Sequence, residues 1–263
     1  MSVFDLKNKK ILVTGALGLI GKELCYRLIK NNNKLIMIDH NFKKKNTNFK
    51  IKSKKINIYD VDLGNPSEIK KFFKSNQKIL KGFNTLVNLA AIDAKVKKDN
   101  EFDTFENFPI ENLIKTFSVN VIGLISICQE ACKFFLKNKI KGNIINVGST
   151  YSLVAPNINL YNSSSKKKSN KPIDYVISKS VVPMLTKYLA TNYASTIRCN
   201  CIIPHVIIKK PPKKFIKNFK KISPIQRICK IEEIINPLIF LISDGSSYMN
   251  GSTTIVDGGW TAW

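Results

Sequence analysis

Thr14-Gly15-Ala16-Leu17-Gly18-Leu19-Ile20-Gly21 is the stretch of sequence that decides the fold. The residues just before it, 10–13, form a short apolar segment of the kind that makes a buried strand. Residues 22–29 just after it carry apolar side chains at helical spacing. A strand, a glycine turn and a helix in this order predict the start of a βαβ unit that binds a dinucleotide.

Each glycine of this turn has a separate task in such a unit. Gly15 allows the tight turn, Gly18 lets the main chain approach a pyrophosphate, and Gly21 lets the helix pack on the strand. Leu19 and Ile20 begin the helix, whose unpaired N–H groups carry a partial positive charge toward the phosphates. The sequence therefore predicts a nucleotide site around this turn.

Length and composition favour one large α/β domain over residues 1–263. Because no apolar run approaches the roughly 18 residues that span a bilayer, we expect no membrane span. The N-terminus leads directly into the first strand, so no signal peptide is expected. The six cysteines lack the spacing of metal ligands, and we expect reduced thiols, no metal site and a cytoplasmic location.

The formal net charge of +25 comes from an excess of lysine that accompanies abundant asparagine and isoleucine. These residue types have AT-rich codons, so genome composition accounts for much of the bias. Lysines cluster at 43–55, 166–171 and 209–221 without acidic residues. The clusters lack the arginine forks and stacking aromatics of base-reading sites. We expect a solvated surface and no specific nucleic acid; attraction of a polyanion or a phosphorylated substrate is the alternative.

Seven apolar strand candidates alternate with helical patterns along the chain. The strands are residues 10–13, 35–38, 56–59, 85–89, 143–147, 199–203 and 254–256, and the helices lie near 20–30, 67–80, 112–137, 174–194 and 231–243. This alternation predicts a doubly wound α/β fold of the Rossmann type, with a seven-stranded parallel sheet between helix layers. Ligands bind such sheets at the carboxyl ends of the strands. The polar residues that follow strands should share that edge: Thr14, Asp39, Asp62, Asn88 and Ser149.

Asp39 closes the second strand, 24 residues after Gly15. A carboxylate there accepts hydrogen bonds from the adenosine ribose hydroxyls and repels a 2′-phosphate. This predicts NAD as the cofactor in preference to NADP. Lys43, Lys44 and Lys45 follow closely, and their charge weakens the discrimination.

Tyr175 and Lys179 are four residues apart, so a helix places both on one face. A free tyrosine has a pKa of about 10, and a nearby ammonium group favours its phenolate. Ser149 ends the fifth strand and can hydrogen-bond a substrate carbonyl or hydroxyl. Together these side chains predict a site for redox chemistry beside the dinucleotide.

These landmarks resemble the short-chain dehydrogenase/reductase family over essentially the whole chain. The matching positions occur in order: Thr14 and its glycines, Asp62-Leu63, Asn88-Leu89-Ala90-Ala91, Asn120, Ser149, Tyr175, Lys179, Asn200, Pro204 and residues 255–259. The resemblance implies a homotetramer or a dimer, with helices near 112–137 and 174–194 at the interface.

The resemblance also implies roles for individual residues. Tyr175 would be the catalytic acid and base, Ser149 would orient the reacting oxygen, and Lys179 would bind the nicotinamide ribose and lower the Tyr175 pKa. Asn120 would hold a water that relays protons to Lys179, and Asp62 would contact the adenine. Further cofactor contacts are predicted at Thr14, Leu63, Asn88, Ala90 and Pro204.

Several features depart from the usual family pattern. The glycine spacing is the one found in larger sugar-nucleotide members. His205 follows Pro204 where glycine is common, and it is expected either to donate a hydrogen bond or to pack. Pro183 lies inside the helix begun by Tyr175 and removes the hydrogen bond to the Lys179 carbonyl, so we expect a kink there.

Two segments are expected to border the substrate. Residues 155–172 form a polar, lysine-rich insertion, and residues 206–225 include an amphipathic stretch at the place of the family's substrate lid. A helix that lies on a membrane surface is the alternative for this stretch. The insertion and the chain ending resemble members encoded with bacterial surface-glycan and flagellin-modification enzymes, so a sugar or nucleotide sugar is a candidate substrate.

The sequence therefore predicts an oxidoreductase that transfers a hydride between NAD(H) and a secondary alcohol or carbonyl. Three alternatives remain: an NADP-dependent 3-oxoacyl reductase, a sugar-nucleotide epimerase, and a catalytically silent protein that binds a nucleotide or polyanion.

Overall fold

The fold is that of a computed structural model, which describes residues 6, 9–40, 53–93, 104–161, 171–208 and 211–263. Lys43, Lys44 and Lys45 lie outside the described residues, as do residues 162–170 of the predicted insertion and residues 209–210 of the predicted lid.

One parallel sheet of seven strands runs through the molecule, in the order β3-β2-β1-β4-β5-β6-β7. Its strands are β1 (Lys10–Thr14), β2 (Lys34–Asp39), β3 (Ile56–Asp60), β4 (Thr85–Asn88), β5 (Gly142–Val147), β6 (Ile197–Pro204) and β7 (Thr253–Val256). All seven predicted strands are confirmed. Thr14 pairs with Asn88, and Asn88 pairs with Asn146, so three central strands reach the carboxyl edge together.

Helices connect the strands and cover both faces of the sheet. They are α1 (Leu19–Lys30), α2 (Pro66–Ser75), α3 (Gln77–Leu80), α4 (Ile110–Phe117), α5 (Leu124–Lys137), α6 (Ile158–Tyr161), α7 (Ile173–Asn192), α8 (Lys213–Ile222) and α9 (Glu232–Ile242). The helix predicted at 112–137 is two helices, since a π-helical turn, Ser118–Gly123, joins α4 to α5.

Alternate residues of each central strand enter different cores, as expected for side chains that point to opposite faces. Leu12 of β1 packs with α2 and α5 residues such as Phe72 and Phe135. Its neighbours Ile11 and Val13 pack on the other face with residues of α1 and α9. The doubly wound α/β fold predicted from the sequence is therefore confirmed.

The run from Ile110 to Lys137 is long and apolar enough to cross a membrane, with a mean hydropathy of 1.5 over its best 18 residues. Length and composition alone do not make it a membrane span, because core helices of folded domains meet the same criteria. More than half of that window is buried inside the fold, and Ile127 and Phe135 are fully buried. The run comprises α4, the π-helical turn and α5, and no membrane span is evident in the described part of the chain.

Candidate active site

The glycine turn between β1 and α1 is tightly fitted against the loop that follows β4. Gly15 has a φ of +64°, and a Cβ there would lie 2.6 Å from the Ala90 amide nitrogen. A Cβ on Gly21 would lie 2.3 Å from the Gly15 carbonyl oxygen. The Thr14 hydroxyl accepts hydrogen bonds from the Leu89 and Ala90 amides, at 3.2 and 3.3 Å. The chain's own packing therefore requires glycine at 15 and 21.

Gly18 differs from these two glycines because its outer side is open. It is exposed and starts α1, and among the described residues a Cβ there would meet only the Gly15 carbonyl oxygen, at 3.1 Å. The first N–H groups of α1, at Leu19 and Ile20, lack acceptors within the helix, as in every α-helix. An open glycine beside these donors fits the pyrophosphate of a dinucleotide.

Asp39 at the end of β2 is fixed against the same turn. Its side chain is buried, and one carboxylate oxygen accepts a hydrogen bond from the Leu17 amide at 2.8 Å. A carboxylate held next to the glycine turn occupies the place where adenosine ribose hydroxyls would be bound. The described residues thus fit the adenosine half of a dinucleotide.

Asp62 and Leu63, two predicted cofactor contacts after β3, both stabilise the fold of the chain itself. The Asp62 carboxylate accepts a hydrogen bond from the Gly64 amide at 2.8 Å, which shapes the turn before α2. The Leu63 side chain is buried in the core. A contact from Leu63 to a cofactor would therefore come from its main chain, and both contacts stay predictions.

Asn88 lies at the predicted edge, but its side chain turns inward. Its amide nitrogen donates to the Asn146 side chain at 2.9 Å and to the Cys128 sulfur at 3.3 Å. Asn146 in turn donates to the Thr186 hydroxyl at 3.0 Å. These bonds join β4 and β5 to the helices on one face, so a cofactor contact at Asn88 would again use the main chain.

The three predicted catalytic side chains converge beyond the end of β5. Ser149 and Lys179 are buried, and Tyr175 is partly buried. Ser149 interacts with the Tyr175 hydroxyl as a hydrogen-bond partner. The Lys179 ammonium lies 5.9 Å from the centre of the Tyr175 ring and donates to the Val147 carbonyl at 2.8 Å. Strand β5 thereby orients both the serine and the lysine.

Burial and a nearby carboxylate shift the pKa values of Tyr175 and Lys179. Burial and the Asp93 carboxylate raise the pKa of Tyr175, and the hydrogen bond from Ser149 only partly opposes them. Burial lowers the pKa of Lys179 to about 8, while Asp93 acts in the opposite direction. The net shift of the Tyr175 pKa is upward, because burial disfavours the phenolate. The lowering of this pKa by Lys179 together with a bound nicotinamide stays a prediction.

Asn120, in the π-helical turn, clamps the loop that follows β4. Its side-chain oxygen accepts from the Ile92 amide at 2.7 Å, and its nitrogen donates to the Ile92 carbonyl at 3.0 Å and to the Ser178 hydroxyl at 2.9 Å. These bonds tie the loop to α7 beside Lys179. A role in holding a relay water stays a prediction.

Lys171 and Asp93 are charged residues at this site that sequence reasoning missed. They form an ion pair, and the Lys171 ammonium lies 4.5 Å from the centre of the Tyr175 ring. The only signal in the sequence was the place of Lys171 in the insertion, four residues before Tyr175. Among the described residues, two lysines and one carboxylate therefore lie around Tyr175.

His205 anchors the segment that follows β6, and it both bonds and packs. Its Nδ1 lies 2.8 Å from the Thr150 hydroxyl. Its ring lies 4.3 Å from that of Trp260 and 5.3 Å from that of Phe219, centre to centre. Burial lowers the pKa of His205 to about 4, so the ring is neutral at physiological pH. The packing of His205 is therefore seen in the fold, and the donation of a hydrogen bond by its ring stays a prediction.

The amphipathic helix predicted in the lid is α8. It buries Phe219 against both His205 and Trp260 and exposes its five lysines. A hydrogen bond from the Asn218 side chain to the Leu160 carbonyl, at 3.4 Å, connects α8 to α6 in the insertion. The described parts of the two predicted substrate-side segments therefore contact each other.

Comparison with known proteins agrees with this geometry. A family model described as enoyl-(acyl carrier protein) reductase matches residues 15–261. The chain belongs to the short-chain dehydrogenase/reductase family. It is accordingly an NAD(P)-dependent oxidoreductase, and its cofactor is a nicotinamide dinucleotide.

Relatives of this dehydrogenase/reductase match it from end to end. Post-translational flagellin modification protein A of Campylobacter coli is 29% identical and aligns over 97% of this chain and 99% of its own length. L-xylulose reductase of Caenorhabditis elegans is 30% identical over 98% of each chain. A short chain dehydrogenase from Leptospira borgpetersenii, solved with bound NAD+, is 28% identical with a TM-score of 0.86, covering 98% of this chain and 95% of that one.

Proposed function

We propose that this enzyme is an NAD-dependent dehydrogenase that interconverts a secondary alcohol and a carbonyl on a sugar or polyol. The observation that carries the proposal is the convergence of Ser149, Tyr175 and Lys179 at the sheet edge that also holds the glycine turn. The buried Asp39 carboxylate favours NAD, since a 2′-phosphate would bring negative charge against it.

The chain's own residues divide the chemistry between them. Gly18 and the start of α1 would hold the pyrophosphate, Asp39 the adenosine ribose and Lys179 the nicotinamide ribose. The nicotinamide, when bound, supplies or accepts the hydride at the substrate carbon. The residues of the chain orient the substrate oxygen and move its proton.

Tyr175 handles that proton, with Ser149 as the orienting group. In reduction the Tyr175 hydroxyl donates its proton to the carbonyl oxygen, while the Ser149 hydroxyl donates a hydrogen bond to the same oxygen. In oxidation the Tyr175 phenolate accepts the proton of the substrate hydroxyl. Burial raises the pKa of Tyr175, so the phenol form that reduction needs is the populated one near neutral pH.

A polar substrate suits the surroundings of Tyr175. The Lys171–Asp93 ion pair and the hydrogen-bonded hydroxyls of Tyr151 and Tyr161 lie beside it. Groups that both donate and accept hydrogen bonds match sugar hydroxyls. The relatives named for xylulose reduction and flagellin modification support this substrate class.

Assembly and location are part of the same proposal. We expect one domain over residues 1–263, a cytoplasmic location and a homo-oligomer, with a tetramer as the preferred state. Apolar side chains on α4 and α7 are more than half exposed in the single chain: Ile110, Ile114, Met184 and Tyr188. A second copy packed on these helices would remove them from water.

A substrate screen with both cofactors tests the proposed function. Sugars, polyols and nucleotide sugars are incubated with NAD, NADP or the reduced forms, and NAD(P)H absorbance is followed. We expect cofactor-dependent oxidation of at least one sugar or polyol with NAD, and none by Tyr175→Phe. Turnover with NADP alone, or isomerisation of a nucleotide sugar without net change in the cofactor, would contradict the proposal.

A further inference from the structure

Pro183 leaves the carbonyl of Lys179 without its helical donor. In an α-helix the N–H of residue 183 would bond to the carbonyl of residue 179, but proline has no N–H. Helix α7 nevertheless continues past Pro183 to Asn192. The carbonyl that loses this bond belongs to Lys179, whose buried ammonium group is part of the active site.

Ser152 supplies the donor that Pro183 lacks. Its hydroxyl donates to the Lys179 carbonyl at 2.6 Å, and its oxygen accepts from the Ser149 amide at 3.1 Å. A continuous chain of hydrogen bonds thus runs from the Ser149 main chain through one hydroxyl to the Lys179 main chain. Gly148 leaves room for it, since a Cβ there would lie 2.8 Å from the Ser152 oxygen.

The bridge connects the two halves of the catalytic group. Ser149 lies on the turn after β5, whereas Tyr175 and Lys179 lie on α7. A hydroxyl that donates in one direction and accepts in the other fixes both its neighbours, because each bond needs a short distance and a narrow angle. Ser152 therefore sets the separation between the turn that carries Ser149 and the part of α7 that carries Lys179.

We propose that Ser152 is a positioning residue, which replaces the helical hydrogen bond lost at Pro183 and thereby holds Ser149 in register with Tyr175 and Lys179. This inference rests on the proposed function, in which these three side chains act on one substrate oxygen. Ser152 itself touches neither the substrate nor the cofactor in this role.

A substitution of Pro183 tests whether Ser152 positions Lys179 or only stabilises the turn after β5 that carries Ser149. In Pro183→Ala the restored amide can donate to the Lys179 carbonyl, so the need for Ser152 falls. The four proteins of the cycle are the wild type, Ser152→Ala, Pro183→Ala and the double variant. For each one, kcat and KM are measured with NAD(H) and the best substrate of the screen, and unfolding is followed in denaturant.

We expect Ser152→Ala to lower kcat about tenfold or more in the wild-type background, since misplacement by an ångström can cost about a hundredfold. KM for the cofactor should change less than kcat, because the glycine turn and Asp39 are untouched and only the contact of Lys179 with the nicotinamide ribose is disturbed. In the Pro183→Ala background the same change should cost about threefold or less. The unfolding free energies should show the same lack of additivity.

If Ser152→Ala lowers kcat by the same factor in the Pro183→Ala background as in the wild type, the positioning role is overturned. Additive unfolding free energies would overturn the bridge itself, and this measurement needs no substrate. Absence of turnover by the wild type across the whole panel would instead contradict the proposed function, and the unfolding cycle would then decide the bridge alone.

Discussion

The Leu17 amide donates a hydrogen bond to the Asp39 carboxylate at 2.8 Å, which fixes the acid at the end of β2 against the glycine turn. The carboxylate therefore cannot swing away from an incoming 2′-phosphate without breaking this bond. We expect NADH to bind about tenfold tighter than NADPH or better, a difference of about 1.4 kcal/mol. Fluorescence titration measures both affinities.

Asp39→Asn tests the charge while keeping an acceptor for Leu17. We expect the preference for NADH to shrink mainly through tighter binding of NADPH. Asp244→Asn is the matched control, because Asp244 pairs with Lys9 at the opposite end of β1 from the glycine turn. An unchanged ratio in Asp39→Asn would show that the carboxylate does not select the cofactor.

Gly15 and Gly18 should respond differently to alanine. Gly18 has a φ of −66° and an open outer side, so Gly18→Ala should fold with a loss of about 1 kcal/mol or less. Its methyl group would stand in the path of the pyrophosphate and weaken NADH binding about tenfold. Gly15→Ala should lose about 2 kcal/mol or more, since its methyl group meets the Ala90 main chain. Normal NADH affinity in Gly18→Ala would refute this placement.

Asp93 should control the pH dependence of alcohol oxidation. Its negative charge raises the pKa of Tyr175, and oxidation needs the phenolate. Removing the charge in Asp93→Asn favours the phenolate, so the rise of kcat/KM with pH should move to lower pH. Asp93→Glu keeps the charge and should leave the profile nearly in place. A shift to higher pH in Asp93→Asn would contradict this electrostatic account.

His205 should make the fold sensitive to acid. The folded pKa of about 4 lies below the ordinary value of 6.5, so the unfolded chain takes up the proton first as pH falls. The contribution of His205 to stability is therefore present above pH 6.5 and lost toward pH 4, by roughly 3 kcal/mol. Denaturant unfolding across this range measures it.

His205→Phe removes the titrating group and should flatten this part of the stability profile. The matched control is His40→Gln, because His40 is the only other histidine and is exposed. His40→Gln should keep the wild-type slope. Equal slopes in the wild type and His205→Phe would show that protonation of His205 does not oppose folding.

The sheet and the proximity of Ser149, Tyr175 and Lys179 could be predicted from the sequence for physical reasons. Buried parallel strands appear as short apolar runs, and residues that follow them meet at one edge whatever the connections between them. Ser149 and the Tyr175–Lys179 pair could therefore be brought together without knowledge of the packing. Asp39 was placed by the same argument.

Contacts between distant loops could not be predicted in this way. Lys171 meets Asp93 across 78 positions of sequence, and nothing local to either residue indicates the pair. The sequence shows that Pro183 removes a hydrogen bond within α7, but not that the Ser152 hydroxyl, on another turn, donates to the same Lys179 carbonyl. The upward effect of burial and Asp93 on the pKa of Tyr175 is likewise invisible in the local sequence, because both arise from parts of the chain that meet only in the fold.

The most direct test of the account is turnover and cofactor binding by Tyr175→Phe, measured on the same preparation. Removing the hydroxyl deletes the group that moves the substrate proton, so we expect kcat to fall about a thousandfold or more. NADH affinity should stay within about twofold, as should kcat and affinity in the control Tyr248→Phe, whose side chain is fully exposed. Turnover by Tyr175→Phe within about tenfold of the wild type would contradict the assignment of Tyr175 as the catalytic acid and base.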